Sequence, residues 1–123
     1  MAVLEQGMEF PGEIHRLAAI TRSDVAIITN IGISHLENLG TKKNIYRAKM
    51  EITDFFGENN VLIINESNDM LSKERILKEC AGKYNVVSGF ALLATGNCAL
   101  DTCHISSTPW CFSKERAHAQ LVL

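Results

Sequence analysis

VAIITNI, Val25 to Ile31, is almost continuously apolar and rich in β-branched side chains. A strand covered on both faces has this composition, whereas a strand with one wet face alternates polar and apolar residues. The polar break TRSD precedes it, and GISHLENLG, a loop with a glycine at each end, follows it. Upstream, AVLE is a short apolar run ending on a carboxylate. PGEIHRLAAI then has helical spacing, with Ile14, Leu17 and Ala18 on one face and Pro11 suited to a first turn. Downstream, the spacing predicts a helix from Thr41 to about Phe56, closed by GENN. VLIIN (Val61 to Asn65) reads as a third strand. ESNDM begins a loop and a helix to about Ala81, with Leu71, Ile76, Leu77 and Cys80 on or near one face and Gly82 as a stop. YNVVS (Tyr84 to Ser88) reads as a fourth strand.

The order is strand, helix, strand, helix, strand, helix, strand. Helical connections between doubly covered strands predict the α/β class: a parallel sheet of about four strands with helices on both faces. In such sheets chemistry collects beyond the carboxyl ends of the strands. Glu5, the loop Asn30 to His35 and the loop Asn65 to Asp69 all fall there.

The chain has 123 residues, 46% hydrophobic and 21% charged, which suits one small domain with a real core. A formal net charge of -2 gives no basic footprint for nucleic acid and no polybasic membrane patch. No apolar run approaches the roughly 20 residues of a membrane span, and MAVLEQGMEF is not a secretory signal, so a cytoplasmic location is expected. Cys80, Cys98, Cys103 and Cys111 form no C-x-x-C pair, and plain thiols are expected. After Ser88 the composition changes. Residues 89–123 hold three of the four cysteines and the only tryptophan, and they show no stable period. They read as an irregular tail, in which KERAHAQLVL has the spacing of a short helix.

One residue sits oddly in the Thr41–Phe56 pattern. In a regular helix Ile45, Ala48, Ile52 and Phe56 share a stripe, and Lys49 falls inside it. A lysine there either lays its stem along the apolar surface and lifts its ammonium to water, or is buried with a lowered pKa. A buried neutral amine can add carbon dioxide to become a carbamate, whose oxygens suit a hard divalent cation. His35 is either a metal ligand or a loop histidine capping the next helix. Glu37 and His15 read as solvated surface. Glu5 either points into the crevice or meets water at a strand end. Asn65, Asn68 and Asp69 either contact a nucleotide or turn the chain and cap a helix. Glu5, His35 and Lys49 sit at or just past successive strand ends, which makes a shared magnesium site a coherent possibility.

The segments LExGM, PGEI, DVAIITNIGxxHLExLG and AKxEI, in that order, resemble the central domain of the Mur ligases of bacterial cell-wall synthesis. Within them the likeness is strongest to the branch that adds D-alanyl-D-alanine. It covers about residues 2 to 88, so residues 1–88 are expected to be a partial central, ATP-binding domain and 89–123 a tail outside the family pattern. The resemblance implies ATP and Mg2+ as cofactors, and a UDP-N-acetylmuramoyl peptide and D-alanyl-D-alanine as substrates. ATP would phosphorylate the peptide's terminal carboxylate, and the incoming amine would attack the acyl phosphate. It implies Glu5 and His35 as magnesium ligands and Lys49 as a carbamylated, magnesium-holding lysine, with Asn65 and Asp69 near the nucleotide. Peptidoglycan synthesis, and through it cell shape and division, would be the setting.

Two departures bear on this. VLIINESND carries Glu66 and Ser67 where the family has an Asn-Ala-Asp-Asp flavour. No G-x-x-x-x-G-K-[ST] phosphate loop occurs in the 123 residues. The resemblance therefore implies a piece of a ligase, inert by itself, with an exposed sheet edge prone to self-association. The rival readings are a related ATP-dependent amide ligase of the folylpolyglutamate synthase kind, and a non-catalytic interaction module on the same scaffold. PGEI and NIGxxHLExLG speak against the former.

Overall fold

The computed structural model describes residues 2–89 and 118–122. Its elements are β1 (Ala2–Gln6), α1 (Glu13–Thr21), β2 (Val25–Ile28), α2 (Leu36–Leu39), α3 (Lys42–Met50), β3 (Val61–Ile64), α4 (Lys73–Cys80), β4 (Asn85–Ser88) and β5 (His118–Val122). All strand pairings are parallel, in the order β1-β5-β2-β3-β4. This is the expected α/β class with a parallel sheet. Among the described residues, no helix is long and apolar enough to cross a membrane.

The central strands show why VAIITNI and VLIIN read as they do. Ala26, Ile28, Leu62, Ile64 and Val86 are buried, and with Ile14, Ile45, Ile52, Phe56, Leu71 and Ile76 they form one core. Alternate residues Val25, Ile27, Val61, Ile63 and Val87 are only half-buried. Over β2, β3 and β4 one side of the sheet is therefore sealed, and the other is covered in part.

Helices α3 and α4 start where a local side chain satisfies a free backbone donor. Thr41 caps α3 by accepting from Asn44 N (3.2 Å), and Ser72 caps α4 by accepting from Arg75 N (3.4 Å). Gly40, with φ +75°, makes the sharp turn between α2 and α3. The helix expected from Thr41 to Phe56 tightens after Met50 into a 3-10 turn, Glu51–Thr53. Ile52 and Phe56 still reach the core from it. The GISHLENLG loop contains the single helical turn α2. Leu17 and Leu77, read as core-facing, are 37% and 39% exposed; Ile14, Ala18 and Ile76 hold those helices down instead.

One reading in the tail changes. Residues His118–Val122, at the end of a segment with helical spacing, form β5. This strand lies between β1 and β2: His118 is level with Ala2, and Val122 is level with both Gln6 and Ile28. A strand's ladder bonds to two neighbours outweigh the weak propensity of a five-residue segment. The cysteines Cys98, Cys103 and Cys111 lie outside the described residues, while Cys80 is a free thiol.

Leu62, fully buried in β3, tests the core directly. Leu62→Ala is expected to cost about 2–5 kcal/mol in urea unfolding, and a loss under about 1 kcal/mol would contradict its place.

Candidate functional site

The carboxyl ends of β2 and β3 are stitched together. Asn65 N donates to Ile28 O (3.3 Å), and the Asn68 amide donates to Asn30 Oδ1 and, at 3.3 Å, to Ile31 O. Lys49 reaches this same seam from α3. Its Nζ donates to Asn30 O at 2.9 Å, and the residue is only 7% exposed. It does not snorkel. Loss of hydration disfavours the ammonium and lowers its pKa from the ordinary lysine value. Ile45, Ala48 and Ile52 are buried around it in sequence, as the stripe requires.

His35 follows the same β2 loop. It adopts a left-handed conformation (φ +65°) at the N-cap of α2, where its carbonyl accepts from Asn38 N and Leu39 N. Its side chain makes no capping hydrogen bond. It instead lines an open cleft of about 560 Å³ with Gly7, Met8, Glu9, Glu13, Arg16 and Leu17. This cleft lies immediately beyond β1, the strand that carries Glu5. Glu5 is exposed one residue from the end of β1, and its register partner Leu121 also pairs with Ile27 of β2. The structure thus joins His35 to the segment following Glu5 in one cleft, and holds Lys49 at the inner start of the His35 loop. Neither Glu5 nor Lys49 is among the cleft's lining residues. Among the described residues, no three His, Cys, Asp or Glu side chains are grouped to hold a metal ion.

The Asn65–Asp69 loop is built largely from its own side chains. Asn65 Oδ1 accepts from Ser67 N (3.0 Å), and Asn68 Oδ1 accepts from Met70 N (3.0 Å). Asp69 pairs with Lys42 at 2.7 Å, and that ammonium holds its carboxyl below the usual range. Glu66, the departure from the family flavour, is held below its ordinary pKa by Ser88 and by the Lys73 N–H. Its Oε1 accepts from Lys73 N at 3.0 Å, which fastens the start of α4.

Sequence reasoning missed Glu51. Its carboxylate accepts from Gly12 N (2.9 and 3.0 Å to its two oxygens) and from His15 N (3.1 Å). A negative group is thereby placed on the N-terminus of α1, where unpaired N–H groups favour it. Around it, His15 Nδ1 pairs with Asp54, the His15 ring meets Phe55 in a tilted contact at 5.0 Å, and Arg22 lies 4.0 Å over the Phe55 ring. This clamp holds the helix bearing Glu13 and Arg16 against the turn that follows Lys49. Glu13 in turn folds back on Glu9 N (2.6 Å) and Phe10 N (3.0 Å), which keep its carboxyl below the ordinary range. Gln6 was missed as well. It is 4% exposed, and neither amide atom has a hydrogen-bond partner among the described residues.

The family described as the Mur ligase middle domain matches residues 1–101. The UDP-N-acetylmuramoyl-tripeptide--D-alanyl-D-alanine ligase of Bacillus subtilis is 48% identical over 63 residues, which are 51% of this chain and 14% of that protein. The ligase of the same name from Rickettsia prowazekii is 40% identical over 72 residues (58% and 16%). The one from Escherichia coli is 34% identical over 77 residues (62% and 17%). The matched segment thus spans only about a sixth of the length of these curated relatives. No solved structure matches the chain.

The clamp yields a direct expectation. Glu51→Ala should cost about 1–2 kcal/mol, as loss of a charged helix cap does, with faster amide exchange at Gly12 and His15. Glu51→Gln, whose amide oxygen still accepts, should lose less. Unchanged urea stability and unchanged exchange in Glu51→Ala would contradict the clamp.

Proposed function

The chain belongs to the Mur ligase middle-domain family, and from that premise we propose that it supplies part of the ATP-binding core of a peptidoglycan ligase. The reaction is ATP-dependent amide formation between a UDP-N-acetylmuramoyl peptide and D-alanyl-D-alanine. Support for the substrates comes from the names carried by the Bacillus, Rickettsia and Escherichia relatives. The setting is the cytoplasm, where the nucleotide-linked precursor is made.

The observation that carries the reading is the buried Lys49 amine at the carboxyl end of β2. Burial lowers its proton affinity, so the neutral amine is more accessible than in an exposed lysine. That amine can attack carbon dioxide. A nitrogen–carbon bond forms, one N–H proton leaves to solvent, and the side chain becomes an anionic carbamate. The residues present fit a magnesium ion on their donor chemistry. Glu5 offers a carboxylate and His35 an imidazole, and the carbamate of Lys49 would add oxygen donors that a lysine lacks. The chemistry magnesium supplies in such a site is charge neutralisation on phosphate oxygens.

The other roles belong to the chain's own side chains. Asn68 pins the β2 and β3 loops together and so fixes the carbonyl that holds Lys49. Glu51 anchors the helix that forms the cleft wall beside His35. Asn65 and Asp69 lie on the outer loop, where a nucleotide would approach over the sheet's carboxyl edge. Asp69 would do so while paired with Lys42.

Carbon-13 NMR of the chain in labelled bicarbonate tests this. A carbamate resonance is expected, strengthened by magnesium, and absent in Lys49→Arg. Glu5→Gln and His35→Ala should weaken the magnesium effect but keep the resonance. A spectrum with no carbamate signal above that of Lys49→Arg, with and without magnesium, would overturn the proposal.

A further inference from the structure

A second cleft, of about 520 Å³, lies between α3 and α4 and is lined by Lys43, Tyr46, Arg47, Met70, Arg75 and Glu79. It shares no lining residue with the cleft at His35, and Glu5 and Lys49 are not part of it. Its charge is unbalanced, with three cations facing one carboxylate. Lys43 and Arg47 are one helical turn apart on α3 and both exposed. Neither makes an ion pair with an acid among the described residues.

The single carboxylate is already engaged. Tyr46 donates its hydroxyl to Glu79 Oε2 at 2.6 Å. Burial and that carboxylate push the phenol above its usual range, so Tyr46 stays a neutral donor. The Arg75 guanidinium lies 4.5 Å over the Tyr46 ring and donates one Nη to Met70 O. Its Nε is a different matter. That atom is buried and has no hydrogen-bond partner among the described residues; it is ion-paired with Glu79 Oε1 at 3.6 Å, beyond hydrogen-bonding reach. The Arg75 side chain is 40% exposed and faces the cleft beside two further cations, and a guanidinium edge is shaped for an oxyanion.

We propose that the α3–α4 cleft is an anion site that takes a small phosphate-bearing ligand, with the Arg75 guanidinium, Lys43 and Arg47 as its cationic donors. The volume exceeds that of one phosphate and falls within the roughly 300–1,000 Å³ of small-molecule pockets, so a phosphate ester or short polyphosphate fits the space. Arg75 also holds Met70 O at the end of the Asn65–Asp69 loop. A ligand drawing on Arg75 therefore acts on a loop at the sheet's carboxyl edge while sitting outside the ligase cleft.

Two-dimensional NMR of the nitrogen-15-labelled chain, titrated with inorganic pyrophosphate at ionic strength held constant with sodium chloride, reads this out. Saturable shifts are expected at the Arg75 and Arg47 Nε–H signals and at the Met70 amide. The Lys43→Gln, Arg47→Gln double variant should bind at least threefold more weakly. Both positions are exposed and serve no described structural contact, so its melt should match the parent's. Arg75→Lys, which keeps charge but loses the planar fork, should also weaken binding at least threefold. Shifts that grow linearly without saturation, saturable shifts centred on His35 and Arg16 instead, or affinity in the double variant within threefold of the parent would each overturn the proposal.

Discussion

A lysine amine stripped of water at the end of the second strand sets the terms for the rest of this structure. Lys49 Nζ sits 2.9 Å from the Asn30 carbonyl, inside the stripe that packs α3 on the sheet. Its position is tolerable because the carbonyl meets the polar end and the stem fills apolar space. The unfolded chain holds the amine's proton more tightly than the folded chain does. Its contribution to stability therefore grows as pH rises through the folded pKa and levels off near the unfolded value of about 10.4. A core position that works against folding at neutral pH needs strong support, and the fully buried Ile45, Ile52, Ile28 and Ile64 provide it.

The same support links the segments by which the family is recognised. PGEI and AKxEI are far apart in the chain, yet Glu51 of the second binds Gly12 N of the first and the N–H of His15, the residue just after it. One carboxylate therefore ties α1 to the turn that ends the Lys49 helix. Asn68 does the equivalent work between the loops after β2 and β3. The carboxyl edge of the sheet is thus a set of loops fastened to each other, which is what positions Lys49 and leaves His35 at an open cleft.

Much of this was legible from local pattern. Val25–Ile28 and Val61–Ile64 announced themselves as covered strands by their unbroken β-branched runs, and Lys49 stood out because its stripe neighbours were all apolar. Features set by distant partners were not legible. Glu51 looks like an ordinary helical glutamate, since its partners lie 39 and 36 residues away. Arg75 and Glu79 have i,i+4 spacing on α4, and only the approach of Tyr46 from α3 makes them part of a cleft. Gln6 is buried because β1 ends where the chain turns inward to Met8. His118–Val122 failed for another reason: a short segment of helical spacing carries too little local preference, and the two neighbouring strands decide.

The most direct measurement of the central claim is a pH titration of the individual lysine side chains by NMR. Lys49 should deprotonate at lower pH than the exposed Lys43 and Lys78, and its Nζ signal should be the one most protected from solvent exchange. A Lys49 midpoint that coincides with those of Lys43 and Lys78, with equally fast exchange, would place its amine in water and contradict the account.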